Sequence, residues 1–211
     1  MTRFLCILLL QSVVVYNEDV DENPWLSKRN DAFKYQNPAM WLDKDYVLME
    51  VTYSAWDDSK SMCLRTTFIS KTGNAFHHKV QYRSITPISS DQRTLEERES
   101  DITIAVKQTP GSQPKIRIRE LGEKVSEKLP LSKGNNYPVL YADLHCIILG
   151  AFDTQHGQTP CTMWVPNDHP EDTPRHCRFI MLSECGTPVL KVYEKERHIC
   201  DFFKQIKESK K

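Results

Sequence analysis

Tyr46-Val47-Leu48-Met49-Glu50-Val51-Thr52-Tyr53 is the stretch on which the fold turns. Val47, Met49, Val51 and Tyr53 alternate with Tyr46, Leu48, Glu50 and Thr52, and a period of two places these sets on opposite faces of a strand, the first the greasier. The same kind of pattern continues over residues 62–70, 76–85, 102–107, 115–121, 137–143, 146–152 and 161–165. Turn signals lie between the segments: Lys71-Thr72-Gly73-Asn74, Thr109-Pro110-Gly111-Ser112, Lys133-Gly134-Asn135-Asn136 and His156-Gly157-Gln158. Short strands in succession, with no long helical pattern among them, indicate an antiparallel sandwich or barrel. Parallel α/β topologies are excluded because the crossover helices they need are missing.

Helical segments flank this run. Residues 26–41 have helical spacing broken at Asn37-Pro38, which predicts a short helix ending near Gln36. Over 173–185, Thr173 suits a cap, Pro174 the first helical position and Gly186 the stop. Within that helix Cys177, Ile180, Met181 and Cys185 fall at i, i+3, i+4 and i+8, one buried stripe carrying both cysteines. Only a short strand and a tail are expected over 188–211.

The chain has 211 residues, 39% of them hydrophobic, which suits a single domain with a core. Its 28 Lys plus Arg balance 28 Asp plus Glu, so no basic footprint for nucleic acid exists, and neither composition nor charge is that of a disordered chain. Arg3 and the apolar run 4–15, followed by acidic and polar residues, form a secretory leader over 1–16, too short to span a membrane. The mature domain is then 17–211, with the barrel over about 45–165, and no membrane association is expected once the leader is removed. Seven cysteines are an odd count, and loss of Cys6 with the leader makes it even. Cys63, Cys146, Cys161, Cys177, Cys185 and Cys200 remain, which in a secreted domain means three disulfides, with fifteen pairings open to spacing alone. The close C-x-x-C or H-x-x-x-H pairs of a zinc site are absent, so no metal is expected. No nucleophile elbow, phosphate-cradling glycine loop or H-E-x-x-H motif occurs, so neither an enzyme nor a cofactor is expected. No N-x-S/T sequon occurs either.

Three stretches together resemble a known family. Asp31-Ala32-Phe33 to Trp41, residues 46–53, and Trp56 before Met62-Cys63 are similar to the opening of the tick salivary lipocalins of the histamine-binding type. Asp143-Leu144-His145-Cys146-Ile147-Ile148, Cys161-Thr162-Met163-Trp164-Val165, Pro174-Arg175-His176-Cys177-Arg178-Phe179, Cys185-Gly186, Tyr193 and Cys200 follow that family's order and approximate spacing. The resemblance implies an all-β fold: an eight-stranded antiparallel lipocalin barrel with a short N-terminal helix and a C-terminal helix packed on the wall. It also implies disulfides Cys63 to Cys200, Cys146 to Cys177 and Cys161 to Cys185.

An eight-stranded barrel has room for packed side chains or one small ligand. Amine-binding members of the family hold a cation in an aromatic cage with acidic side chains, using ring quadrupoles and charge-assisted hydrogen bonds. Resemblance places Tyr53, Trp56, Tyr137 and Trp164 at the aromatic positions. Thr162 stands where the family typically has Glu, and Tyr137 occupies the acidic position of the sixth strand. Asp57, Asp58 and Asp143 remain as candidate acids. The implied function is a secreted monomer that sequesters a small host mediator, with histamine or serotonin favoured. Alternatives are a fatty acid or eicosanoid binder, or a loop-based inhibitor of a host complement or coagulation protein.

Ordinary structural roles compete at each position. Residues such as Tyr53 and Trp164 at alternating strand positions are more often core packing than ligand cage, and Asp57-Asp58-Ser59-Lys60 suits a solvated loop. Lys115, Arg117 and Arg119 share one strand face: outward they are wet surface, whereas inward they would select an anion. His77 and His78 are neighbours on a strand, so only one can face inward.

Overall fold

The computed structural model describes residues 36–52, 61–87, 93–109, 112–120, 136–150, 159–168 and 170–208. The leader, the helix expected to end near Gln36, and Tyr53, Trp56, Asp57 and Asp58 lie outside these residues. Nine strands form one antiparallel sheet: β1 (Tyr46–Thr52), β2 (Ser61–Thr72), β3 (Ala75–Pro87), β4 (Arg93–Lys107), β5 (Lys115–Glu120), β6 (Asn136–Ala142), β7 (Ile147–Gly150), β8 (Cys161–Pro166) and β9 (Val189–Leu190). Helix α1 (Arg175–Cys185) precedes β9, and α2 (Val192–Glu208) follows it. Strands β2 to β7 each pair with the next, β8 pairs with β1, and β1 pairs with β2, closing a ring of eight strands. None of the helices among the described residues is long and apolar enough to cross a membrane.

The closing seam is short. β1 meets β2 only at Tyr46↔Thr66 and Val47↔Arg65, and β9 then takes over that edge at Val51↔Leu190 and Thr52↔Val189. Within β2 the register slips between Met62 and Arg65, where Cys63 has φ 58°, a left-handed backbone uncommon for a residue with a Cβ. Glu196 of α2, itself buried, accepts the Cys63 N–H at 2.7 Å, and the Cys63–Cys200 disulfide ties α2 to the same spot. The C-terminal segment therefore covers the seam.

Two cores lie on opposite sides of the barrel wall. Inside are Leu48, Val51, Phe76, Val80, Tyr82, Ile102, Ile104, Ile116, Val139, Ile147 and Leu149. Outside, under α1, are Val47, Met49, Leu140, Ile148, Met163 and Val165, packed against Cys177, Met181 and Cys185. Met181 is 0% exposed, a burial worth about 1.5–3 kcal/mol. The disulfides Cys146–Cys177 and Cys161–Cys185 fix α1 at both ends of its buried stripe. All three bridges have the pairing that the family resemblance implies.

Strict alternation fails at one point in β1. A bulge between Leu48 and Glu50 puts Val51 on the inner face with Leu48, although they are three residues apart, and sends Glu50 outward beside Met163. There Glu50 is 4% exposed and receives the Arg178 guanidinium of α1 at 3.1 Å. Burial pushes the Glu50 carboxyl above its ordinary range, and Arg178 opposes that shift. Arg178 also reaches Glu194 of α2 at 3.5 Å, so one guanidinium links β1, α1 and α2.

Three boundaries differ from the sequence expectation. β4 begins at Arg93 instead of 102, because β3 supplies a partner along its whole length and pairs Arg83 with Glu97 and Lys79 with Glu99 across the strands. Pro174 is the N-cap of α1, so the helix begins at Arg175, one residue later than expected, and the Thr173 hydroxyl donates back to the Pro170 carbonyl instead of capping. The expected tail is the 17-residue helix α2, whose first turn docks Val192 into the inner core.

Candidate functional site

A segment just before β1 closes one end of the barrel. Gln36 donates to the Leu140 carbonyl and accepts the Ala142 N–H of β6; Asp45 accepts the Phe68 N–H of β2, and its carbonyl accepts the Asn167 N–H beyond β8. Between these anchors the Pro38–Met40 single 3-10 turn carries Trp41 and Leu42 onto the interior, and the Tyr46 hydroxyl donates to the Trp41 carbonyl. Burial, with Asp43 next in effect, pushes the Tyr46 phenol far above its ordinary value, so it stays a neutral donor.

Within the barrel lies a cavity of about 70 Å³ lined by Leu42, Tyr46, Thr66, His78, Val80, Ile102, Ile104, Ile116, Ile118, Tyr137, Ile147, Leu149 and Trp164. Its wall holds no carboxylate, lysine or arginine among the described residues. Ile116 and Ile118 face inward, so Arg117 and Arg119 are exposed on the outer surface of β5 and do not make the cavity cationic.

Of the residues expected at the site, Tyr137 and Trp164 do line the cavity. The indole N–H of Trp164 donates to the Thr162 hydroxyl at 3.0 Å, so this fully buried threonine serves the tryptophan. Asp143 does not line the cavity. It sits in the β6–β7 turn, accepting N–H bonds from His145 and Cys146 at 2.8 Å each, a Tyr141 hydroxyl at 3.1 Å and His176 of α1 at 2.8 Å. Burial opposes its ionisation, but the N–H groups of Cys146 and His145, then His176 and Tyr141, outweigh that and hold the carboxyl below its ordinary range. Its stabilising contribution is complete above the unfolded carboxyl value near ~4 and is lost as pH falls through the lower folded value. Asp143→Ala is expected to cost about 1–3 kcal/mol, read by denaturant unfolding at pH 7, and to leave ligand affinity unchanged. A variant with wild-type stability and weakened binding would return Asp143 to the ligand.

Sequence reasoning did not assign the wall residues Ile102, Ile104, Ile147 and Leu149, although the period of two in their strands marks their common face. His78 is the inward member of the histidine pair. It is 0% exposed in the cavity wall, with Nε2 on the Leu42 carbonyl at 2.8 Å, while His77 lies on the other face beside Thr103 at 3.4 Å. Burial lowers the His78 imidazole below its ordinary value, despite the Leu42 carbonyl and Asp45. Among the described residues, two groups have the residue types of a metal site: Asp143, Cys146, His176 and Cys177; and Cys63, Glu196 and Cys200. Their cysteines are spent in disulfides, which removes the thiolates a metal would take.

Comparison with known proteins agrees with this geometry. No curated protein matches the chain. Among solved structures, Japanin from Rhipicephalus appendiculatus bound to cholesterol matches with a TM-score of 0.56 and 16% identity, over 74% of this chain and 95% of Japanin. That likeness shows the fold. The sequence model of the tick histamine-binding protein matches residues 20–200. With the barrel, its three bridges and this match in agreement, the chain belongs to the tick histamine-binding protein family.

Proposed function

We propose that the protein is a secreted salivary lipocalin that sequesters a small host mediator in its barrel, acting by binding and not by turnover. The observation that carries the reading is the cavity wall: apolar and aromatic side chains around a small space, with no carboxylate, lysine or arginine among the described residues. A pocket of that composition favours a neutral apolar ligand, because an ammonium or carboxylate would lose its hydration without a partner. Cholesterol bound to Japanin, on the same fold, supports the preference.

The family's name favours histamine as the second reading. An amine would then be held by Tyr53, Trp56 and Asp57, with Asp143 taking no part. Calorimetric titration with 1-octanol, arachidonic acid, serotonin and histamine separates the readings. One equivalent of 1-octanol is expected to bind at least ~10-fold more tightly than histamine, a difference of about 1.4 kcal/mol. Histamine binding tighter than every apolar probe would move the site to the second set, and no binding of any probe would end the small-ligand reading.

A further inference from the structure

The cavity is apolar but not featureless. His78 is 0% exposed, and Nε2 must be its donor, since the Leu42 carbonyl at 2.8 Å can only accept. Nδ1 of the same ring is buried and has no hydrogen-bond partner. The ring also packs edge-to-face with Phe68, with centroids 5.6 Å apart and planes at 68°. An imidazole held in this tautomer presents at Nδ1 a lone pair that accepts and cannot donate. Buried polar atoms are normally paired, and an acceptor left unpaired on a residue that lines the cavity is a place where a ligand donor can dock.

We infer that His78 Nδ1 is the polar anchor of the cavity and accepts a hydrogen bond from the hydroxyl of an otherwise apolar alcohol. The inference rests on the barrel-cavity reading above and specifies its ligand class. A carboxylate has no proton to give and sets its charge against the lone pair, while an ether or hydrocarbon leaves Nδ1 unpaired. Alcohols are therefore selected over acids, ethers and hydrocarbons of the same length. Thr66 and Tyr137 also line the space, but a hydroxyl both donates and accepts, so neither discriminates in this way.

The test compares 1-octanol, 1-methoxyoctane, nonane and octanoate by calorimetry at pH 8, on the wild type and His78→Gln. The glutamine amide nitrogen can reproduce the Nε2 donation to Leu42 while offering no acceptor at the Nδ1 position. Thermal unfolding of both proteins checks that the variant is folded. Wild type is expected to prefer 1-octanol over 1-methoxyoctane by about 10-fold, the size of one neutral hydrogen bond, and the variant by less than ~2-fold. A His78→Phe variant, which removes both ring nitrogens, is expected to lose the preference as well. Equal binding of alcohol and ether to wild type, or an unchanged preference in His78→Gln, would overturn the anchor and leave the cavity reading intact. Failure of all four probes on wild type would overturn both.

Discussion

Replacing Cys63 and Cys200 together by alanine is expected to lower the unfolding free energy by about 4–5 kcal/mol, the largest loss from any of the three bridges. The bridge spans 137 residues, against 31 for Cys146–Cys177 and 24 for Cys161–Cys185, and the entropy returned to the unfolded chain grows with the logarithm of that span. For the Cys161 and Cys185 pair the same argument gives about 3 kcal/mol. The long bridge also secures α2 over the seam where β1 meets β2 at two register positions only. Denaturant unfolding at pH 7 measures the ranking, and a loss under ~1 kcal/mol for the Cys63 and Cys200 pair would show that α2 docks without its tether.

Ile104→Trp is expected to weaken ligand binding on the order of 100-fold in a protein that still folds. Ile104 lines the cavity of about 70 Å³, and an indole there occupies the space. Displacing four methylenes of 1-octanol at about 0.8 kcal/mol each amounts to ~3 kcal/mol, on the order of 100-fold in Kd. Overpacking is expected to cost about 1–3 kcal/mol of stability. Arg117→Gln, on the exterior of β5, is the matched control and should bind as wild type does. Undiminished 1-octanol affinity in Ile104→Trp would place the ligand outside this cavity.

Most of the barrel was legible because inward isoleucines and valines recur every second residue, as in Ile102 and Ile104 or Ile116 and Ile118. The first half of β4 was not, since Arg93-Thr94-Leu95-Glu96-Glu97-Arg98-Glu99 is polar on both faces and becomes a strand only because β3 lies beside it with opposite charges. Helix α2 was missed although Val192, Glu196, Ile199 and Cys200 recur at helical spacing; no capping residue announces its start at Lys191-Val192, and its buried glutamate breaks the apolar stripe. The β1 bulge was invisible because strict alternation groups Glu50 with Tyr46, Leu48 and Thr52, whereas Glu50 turns outward beside Arg178 while Leu48 stays inside. Tyr137 and Trp164, which the family pattern offered as aromatic site residues, lie in the cavity wall. Asp143 was misplaced: one-dimensional spacing cannot tell a carboxylate at a strand end from one aimed into the barrel. His78 was recognised as one of a pair, but its missing partner exists only in three dimensions.

The seam between β1 and β2 also has a temporal meaning. Strands β2 to β8 can pair in order as the chain lengthens, each with the neighbour just made, but the last stretch of the ring's edge waits for β9 and α2. Until residues 189–200 exist, Val51 and Leu64 border an open slit instead of a sealed interior. Closure of so non-local a contact is slow, and the open intermediate exposes apolar surface and strand edges that invite association. Sealing the container thus waits for β9 and α2, segments made long after the strand that they close upon.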